Sequence, residues 1–471
     1  MLTMATTAIA LLAIGATAQW WDNFDPTQHL GGNSPYFSGP NVFGISTDPP
    51  PGCSVDQAGF LSRHGSRYPD PGSYNTWVNL AAKIQNASFS TWAPEFQFLQ
   101  SWKSALRNPA PELSELSLGG YKELYDMGVD YRWQYPDFYT ENTPFVLWAN
   151  RYQQSVFRVV DSARLFARGY LGPNATVDGS VYVLNNSDPR SIANSLAASD
   201  LCANYNDNSG GDNATTWANI YVPPIVKRIN SLFRGNLNFT ASDVTQFPYL
   251  CGFETQITGR RSPWCDAFTQ QEILAYEYSQ DIRYWYGTGL GTKLEKNLML
   301  PFLTALVQRF VDGPNATYPN GNASTPFHPN PLIATFSNDG QVNQLAAAIG
   351  VFDQEPQLPA TYIPQSRIFK SSNFVTMRGT VSFERLNCGS RGLYMRIKLN
   401  DEVYPVPYCQ QGPGRSCPLN QYQSIIASKT KAAGDFEVAC GIANTSIVPI
   451  GQDKTTFLTN LNLPFEYVVK P

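Results

Sequence analysis

Residues 58–69 read Ala58-Gly59-Phe60-Leu61-Ser62-Arg63-His64-Gly65-Ser66-Arg67-Tyr68-Pro69. The apolar run Ala58–Leu61 predicts a short buried strand, and the polar stretch after it predicts a turn at the strand's C-terminal end. Two guanidiniums flank one imidazole. Arginine presents a planar fork of donors that matches phosphate oxygens, and Gly65 lets the backbone approach a ligand closely. An imidazole between two such forks is placed to attack a bound phosphoryl group rather than merely to bind it. A lone histidine in a polar turn is more often a solvated surface residue. Here five specified residues fall within seven, in a chain with three histidines, and the chemical reading wins.

Outward from this stretch, helical periodicity appears over Val156–Ala167, with Val156, Val160, Ala163 and Ala167 on one face. It recurs over Ala267–Tyr286 and Leu298–Phe310. Leu332–Phe336 predicts a second buried strand. A helix follows at once, carrying Val342, Leu345, Ala346 and Ile349 on one face and ending at Gly350. Phe374–Phe383, Leu393–Leu399 and Val403–Tyr408 are rich in Val, Tyr, Phe and Thr and predict strands. Residues 19–55, rich in Pro, Gly, Asn and Asp, predict an extended N-terminal arm. Helices in the middle and strands towards both ends predict an α/β core within residues 56–471, built from both ends, with a mainly helical insertion within residues 75–330.

The chain has 471 residues, with 33 Lys plus Arg against 37 Asp plus Glu, a formal net charge of −4. Hydrophobic residues are 42% and aromatics 13%, a globular composition. The slight acidity and the lack of a basic run argue against a nucleic-acid partner, although a few placed arginines can still make a phosphate pocket. The first residues carry an uncharged apolar stretch, Met4–Ala16, ending in Ala16-Thr17-Ala18. This predicts a signal peptide over residues 1–18, cleaved before Gln19, although its n-region lacks Lys and Arg. The stretch is short for a membrane span, so the expectation is a protein secreted to the extracellular space or cell wall, with no membrane association after cleavage. Eight N-glycosylation sequons, at Asn86, Asn174, Asn185, Asn213, Asn238, Asn315, Asn322 and Asn444, predict N-glycans. The eight cysteines predict disulfides and contain no Cys-x-x-Cys, but eight allow 105 pairings and sequence does not choose among them. A homo-oligomer is compatible with all of this.

On Arg63-His64-Gly65-Ser66-Arg67-Tyr68-Pro69 the chain resembles the histidine acid phosphatases, in particular the fungal acid phosphatase and phytase branch, whose motif is Arg-His-Gly-x-Arg-x-Pro. The likeness continues through most of the chain expected after cleavage. Arg158-Val159-Val160-Asp161-Ser162-Ala163, with Phe166 and Gly169, looks like the family segment carrying a third phosphate-binding arginine. Tyr286-Gly287-Thr288-Gly289-Leu290-Gly291 looks like its Gly-rich turn before a long helix, and Phe336–Gly350 like the segment with its proton donor. The resemblance implies a mixed-sheet, phosphoglycerate-mutase-like core flanked by helices. It implies His64 as nucleophile through a phosphohistidine, Arg63, Arg67 and Arg158 as phosphate clamp, and Asp339 as general acid. Arg151 is a weaker candidate for the third clamp. The disulfides it implies are Cys53–Cys388, Cys202–Cys440, Cys251–Cys265 and Cys409–Cys417.

Asp339 sits between a predicted strand and a helix start, where backbone N–H groups attract anions. Helix capping by Asn338 and Asp339 explains the position about as well, and only the His64 motif favours catalysis. The chain departs from the family's His-Asp pair by reading Asn338-Asp339. Asn338 can still donate a hydrogen bond to phosphate but cannot carry charge. His29 and His328 read as solvated residues. Three scattered histidines do not supply the ligand clusters typical of a metal-dependent phosphatase, so no metal and no cofactor are expected.

Phytate-preferring relatives often carry lysines just after the histidine motif. The matching stretch here, Asp70-Pro71-Gly72-Ser73-Tyr74-Asn75, has none and one acid. This predicts broad action on small phosphate monoesters, with phytate as a further substrate, unless Asp70 is only a turn former before Pro71. Two other classes compete. A phosphate- or inositol-phosphate-binding relative with impaired catalysis would keep the arginines and could dispense with His64 and Asp339. A secreted glycoside hydrolase would suit the 10 Trp and 25 Tyr, but no carboxylate pair stands out. A mutase of sugar phosphates fits a secreted chain poorly.

Overall fold

The computed structural model describes residues 24–151, 156–320, 325–443 and 454–471. The expected signal peptide, residues 1–18, and the sequons at Asn322 and Asn444 lie outside the described residues. The predicted strand at Ala58–Leu61 is the middle of β1 (Ser54–Arg63). In chain order the remaining strands of its sheet are β2 (Phe145–Asn150), β3 (Gly179–Leu184), β4 (Leu332–Ser337), β5 (Thr380–Asn387), β6 (Leu393–Leu399), β7 (Glu402–Val403), β8 (Cys417–Pro418) and β9 (Glu466–Val469). Among the described residues they form one nine-stranded sheet in the order β8-β6-β5-β1-β4-β2-β3-β9, with β7 paired to β6. Strands β1, β4, β2 and β3 run parallel in the centre. The edges are antiparallel. The sheet therefore draws on both ends of the chain and, through β2 and β3, on its middle.

The longer helices are α1 (Pro71–Gln85), α2 (Leu118–Gln134), α3 (Arg158–Leu171), α4 (Gly211–Ser231), α5 (Gln246–Thr258), α6 (Gln270–Gly287), α7 (Leu300–Asp312), α8 (Asp339–Ala348) and α9 (Leu419–Ala433). Side chains of a strand alternate between faces, and the parallel strands use this to build two cores. Ala58 and Phe60 of β1, Phe145, Leu147 and Ala149 of β2, and Leu332, Ala334 and Phe336 of β4 meet Leu124 and Met127 of α2 and Val159, Ala163 and Phe166 of α3. Leu61, Trp148 and Ile333 point the other way, into the larger core that holds residues of α4 to α9. Burial on both faces explains why the central strands read as continuous apolar runs rather than alternating ones.

Two predicted strands are corrected. Phe374–Gly379 is not strand; β5 starts at Thr380 and continues to Asn387. The backbone of residues 375–379 pairs instead with the end of β1: Gly379 O accepts from Arg63 N at 2.8 Å, and Arg378 N donates to His64 O at 2.9 Å. Of the predicted Val403–Tyr408 strand only Val403, with Glu402 before it, pairs as strand, because Pro405 and Pro407 have no N–H for a ladder. The helix predicted from residue 156 starts at Arg158. The helix after β4 stops where expected, with Gly350 at φ +97°.

The eight cysteines form Cys53–Cys388, Cys202–Cys440, Cys251–Cys265 and Cys409–Cys417. The first ties the end of the N-terminal arm to the end of β5. That arm is packed rather than loose. Residues 30–34 are buried, and two short 3₁₀ turns, Pro26–His29 and Gly31–Asn33, shape it.

Candidate active site

Strands β1 and β4 are parallel neighbours with Arg63 opposite Ser337, so their C-terminal ends deliver Arg63-His64 and Asn338-Asp339 side by side. Ligands of open α/β sheets bind at such ends. His64 N donates to Ser337 O at 3.1 Å, which joins the two segments directly.

His64 is 1% exposed. Its Nδ1 lies 2.8 Å from the Gly65 carbonyl oxygen. A carbonyl only accepts, so the proton sits on Nδ1 and Nε2 keeps its lone pair. Burial, then the charges of Arg158, Arg63 and Arg67, hold the imidazole's pKa well below its ordinary value. The neutral imidazole is thus favoured, with Nε2 able to act as a nucleophile. The turn around it is braced from beneath. The half-buried carboxylate of Glu123 on α2 accepts from Ser66 N at 2.7 Å and Ser66 Oγ at 2.6 Å. Ser162 Oγ on α3 accepts from Gly65 N at 3.2 Å. Gly65 is required here for packing: a Cβ would overlap Leu124 and lie 2.8 Å from Gly120 O of α2.

Three arginines surround the imidazole, each nine-tenths buried or more. Arg63 NH1 donates to Gly32 O at 2.5 Å and Val375 O at 2.8 Å. Arg67 NH1 donates to Tyr68 O at 2.8 Å, and its guanidinium lies over the Phe253 ring, 5.3 Å from the centroid. Arg158, the first residue of α3, donates from NH1 to Ser114 O at 3.1 Å. Arg151 follows β2, where its backbone N–H pairs with Leu184 O, whereas Arg158 lies beside His64 and Asp70. The Nε atoms of Arg63 and Arg67 are buried without a hydrogen-bond partner.

Asp70 occupies the N-cap position of α1 without making a cap hydrogen bond. Its carboxylate turns to the clamp: Oδ2 accepts from Arg67 NH2 at 2.9 Å, while Oδ1 accepts from Ser114 Oγ at 3.0 Å and lies 3.8 Å from Arg158 NH1. Burial opposes its ionisation, but Arg67 and Arg158 outweigh that and hold its pKa below the ordinary value. The turn-former reading of Asp70 omits these contacts.

Asn338 is the N-cap residue of α8, yet its side chain makes no cap hydrogen bond, and its buried Oδ1 has no partner. A terminal amide that turns over presents N–H there instead, so the residue can contact an anion. Asp339, the first residue of α8, accepts from the Tyr284 hydroxyl at 2.7 Å through Oδ2, which lies 3.8 Å from Arg63 NH2. Its burial favours the neutral acid, but the charges of Arg63 and Arg283 and the Tyr284 hydrogen bond prevail and hold it well below the carboxylate range. Burial and the Asp339 charge push the Tyr284 hydroxyl up, so it remains a donor.

Sequence reasoning missed Glu123, Tyr284 and Arg283, the last an exposed guanidinium 4.9 Å from the Tyr284 ring centroid. The only signal was the Gly-rich turn directly after α6, which marks that helix end as near the site but not which of its aromatic residues points in. His29 is corrected too. It is not simply solvated: its ring stacks on Phe24 at 4.6 Å, and Nδ1 lies 2.9 Å from Glu277 Oε1 on α6. His328 is exposed, as expected.

A buried neutral imidazole with one free nitrogen, three guanidiniums and an adjacent carboxylate can carry phosphoryl transfer. Known proteins with this architecture agree. Residues 54–400 match the family model described as the histidine phosphatase superfamily, branch 2. Acid phosphatase PHO1 of Komagataella pastoris is 30% identical over 439 residues, covering 91% of this chain and 89% of that protein. Phytase PHO112 of Candida albicans is 28% identical over 424 residues, covering 88% and 87%. The crystal structure of the phytase from D. castellii superposes with a TM-score of 0.79 at 25% identity, covering 95% of this chain and 94% of that one. The His64 motif, the sheet that presents it and the family match over most of the length agree that this chain belongs to the histidine phosphatase superfamily, branch 2.

Proposed function

We propose that this protein is a secreted acid phosphatase that hydrolyses phosphate monoesters through a phosphohistidine on His64. The observation that carries the reading is the state of that residue: buried, neutral, its Nδ1 proton committed to Gly65 O, and its other nitrogen free among three arginines. In the first step Nε2 attacks phosphorus, the bond to the leaving oxygen breaks, and Asp339 protonates that oxygen. In the second, Asp339 takes a proton from water as the water oxygen attacks phosphorus. The P–N bond breaks, returning neutral His64 and inorganic phosphate. Arg63, Arg67 and Arg158 bind the phosphoryl oxygens through the charge build-up, and Asn338 adds a neutral polar contact.

Asp339 is ionised in the free site, so its proton must arrive with substrate. A monoester monoanion carries one, since the second phosphate ionisation falls at a pKa of about 6. Anionic phosphate beside Arg63 also offsets the charge that holds Asp339 ionised. Both effects place activity at acidic pH, where His64 is still neutral.

Asp70 offsets part of the clamp's positive charge, and residues 70–75 contain no lysine. Both favour simple monoesters, with phytate accepted but not selected. The phytases among the relatives support the second substrate. Four disulfides support an oxidising compartment. Among the described residues no helix is long and apolar enough to cross a membrane, and none of the sequon asparagines is buried.

The test is phosphate release from p-nitrophenyl phosphate and phytate at mildly acidic pH with a chelator present, followed by an alkaline quench and peptide mass spectrometry. Turnover with a phosphoryl adduct on the His64 peptide is expected, and His64→Ala should lose both. Turnover retained in that variant, or an adduct on another residue, would refute the assignment.

A further inference from the structure

The N-terminal arm reaches the catalytic residues at one glycine. Gly32 O accepts from Arg63 NH1. A Cβ on Gly32 would overlap the Tyr284 hydroxyl oxygen and lie 2.9 Å from Cζ. That same hydroxyl donates to Asp339 Oδ2 at 2.7 Å. One peptide unit thus touches a clamp arginine and the residue that holds the proton donor.

The arm is anchored on both sides of this point. His29 meets Glu277 of α6, Gly31 N donates to Ser372 Oγ at 2.9 Å, and Asn33 Nδ2 donates to the Tyr276 hydroxyl at 3.0 Å. Two of these three anchors lie on α6, the helix that carries Tyr284. The other end of the link is secured by Asn343 of α8, whose Nδ2 donates to Tyr284 O at 2.7 Å.

We propose that Gly32 and Tyr284 are positioning residues: the side-chain-free arm residue leaves room for the Tyr284 hydroxyl to orient Asp339, while its carbonyl aims Arg63. The inference rests on the assignment of Asp339 as the proton donor. It makes the N-terminal arm part of the active site rather than a leader to the first strand.

Charged and titratable groups facing Asp339 are Arg63 and His64 from the end of β1, Arg283 and Tyr284 from α6, and Tyr205 from the loop before α4. Removing the Tyr284 hydroxyl takes away a bond that favours ionised Asp339. The alkaline limb of turnover on an alkyl ester should therefore move to higher pH. Orientation is lost as well, so a poor leaving group should suffer most.

The experiment compares kcat on glycerol 2-phosphate and on p-nitrophenyl phosphate for Tyr284→Phe, Gly32→Ala, their double variant and Asp339→Asn. For Tyr284→Phe and for Gly32→Ala the loss on the alkyl ester should exceed that on the aryl ester by about tenfold, a fraction of the ~10²–10⁴ available to general acid catalysis. Gly32→Ala should cost less in the Tyr284→Phe background than in the wild type, because the oxygen that its methyl group would overlap is gone and only the ring edge, with Cζ at 2.9 Å, remains to give way. Non-additivity of this kind reports direct contact. Equal losses on both esters, an unmoved alkaline limb, or additive effects would overturn the proposal. Tyr284→Phe keeps the ring and its packing, so it remains informative if Gly32→Ala does not fold. Should Asp339→Asn itself fail to separate the two esters, the proton-donor assignment falls and this inference with it. Should it separate them while Tyr284→Phe does not, only the inference falls.

Discussion

Replacing Asp70 by asparagine removes one negative charge from beside Arg67 and Arg158, the proposed phosphate-binding arginines, and keeps the shape of the side chain. The amide oxygen can still accept from Ser114 Oγ or Arg67, which the Asp70 carboxylate meets at 3.0 Å and 2.9 Å. A phosphate bound by Arg67 and Arg158 on the side away from this carboxylate would lie at about 6 Å from it. With an effective dielectric of roughly 40, one unit of charge there contributes about 1.4 kcal/mol. The Asp70 side chain is 44% exposed, and solvent screening trims this to ~1 kcal/mol. Asp70→Asn should therefore bind inorganic phosphate about fivefold more tightly, and the gain should be larger for substrates with several phosphates. The assay is competitive inhibition by phosphate of p-nitrophenyl phosphate hydrolysis, with KM for phytate measured alongside. Because Asp70 is held below the ordinary carboxylate value, the difference should persist through mildly acidic pH and close only below that value, where wild-type Asp70 also becomes neutral. An unchanged or weaker inhibition constant in the variant would show that Asp70 orients the arginines rather than competing with phosphate, and the electrostatic argument would fail.

Other outcomes follow from the same geometry. Asp339→Asn should slow an alkyl phosphate by ~10²-fold or more while an activated aryl phosphate loses far less, since only the first needs a proton; steady-state rates on the two esters check this. Glu123→Gln should flatten part of the stability profile in acid. Burial raises the pKa of Glu123 in the folded state, so its protonated form stabilises the fold below the unfolded value, and that contribution is lost as pH rises through the folded value. Urea unfolding of both proteins across that range should show wild type losing ground to the variant as pH rises. Replacing Cys53 and Cys388 together by Ser removes a bridge between residues 335 apart in sequence and should lower stability by about 2–5 kcal/mol, read from the denaturation midpoint.

Much of the site was legible because it is local. Arg63, His64, Arg67 and Pro69 fall within one turn, and Asn338-Asp339 fall between one apolar strand and one periodic helix. Short-range patterns of this kind report directly on backbone geometry, and family resemblance added Arg158. Other residues are distant in sequence and have no pattern of their own. Tyr284 is one of several aromatic residues on α6, and only the phase of that helix against α8 turns its hydroxyl to Asp339. Glu123 reads as one more charged residue on α2, yet it is half-buried and hydrogen-bonded to Ser66. The strand predicted from Phe374 failed for a related reason. Its β-forming composition is real, but its backbone groups are claimed by the end of β1, as Arg63 N bonding to Gly379 O shows.

By itself, then, the sequence determined the His64 motif with its two flanking arginines, the strand-to-helix segment that carries Asn338-Asp339 and an α/β core, because periodicity and a seven-residue motif are properties of neighbouring residues. Tertiary structure alone decided which nitrogen of His64 is free, that Asp70 faces the clamp, and that the N-terminal arm closes on Arg63. Those depend on hydrogen bonds and charges between segments brought together only when the sheet aligns β1 with β4 and packs α6 against the arm.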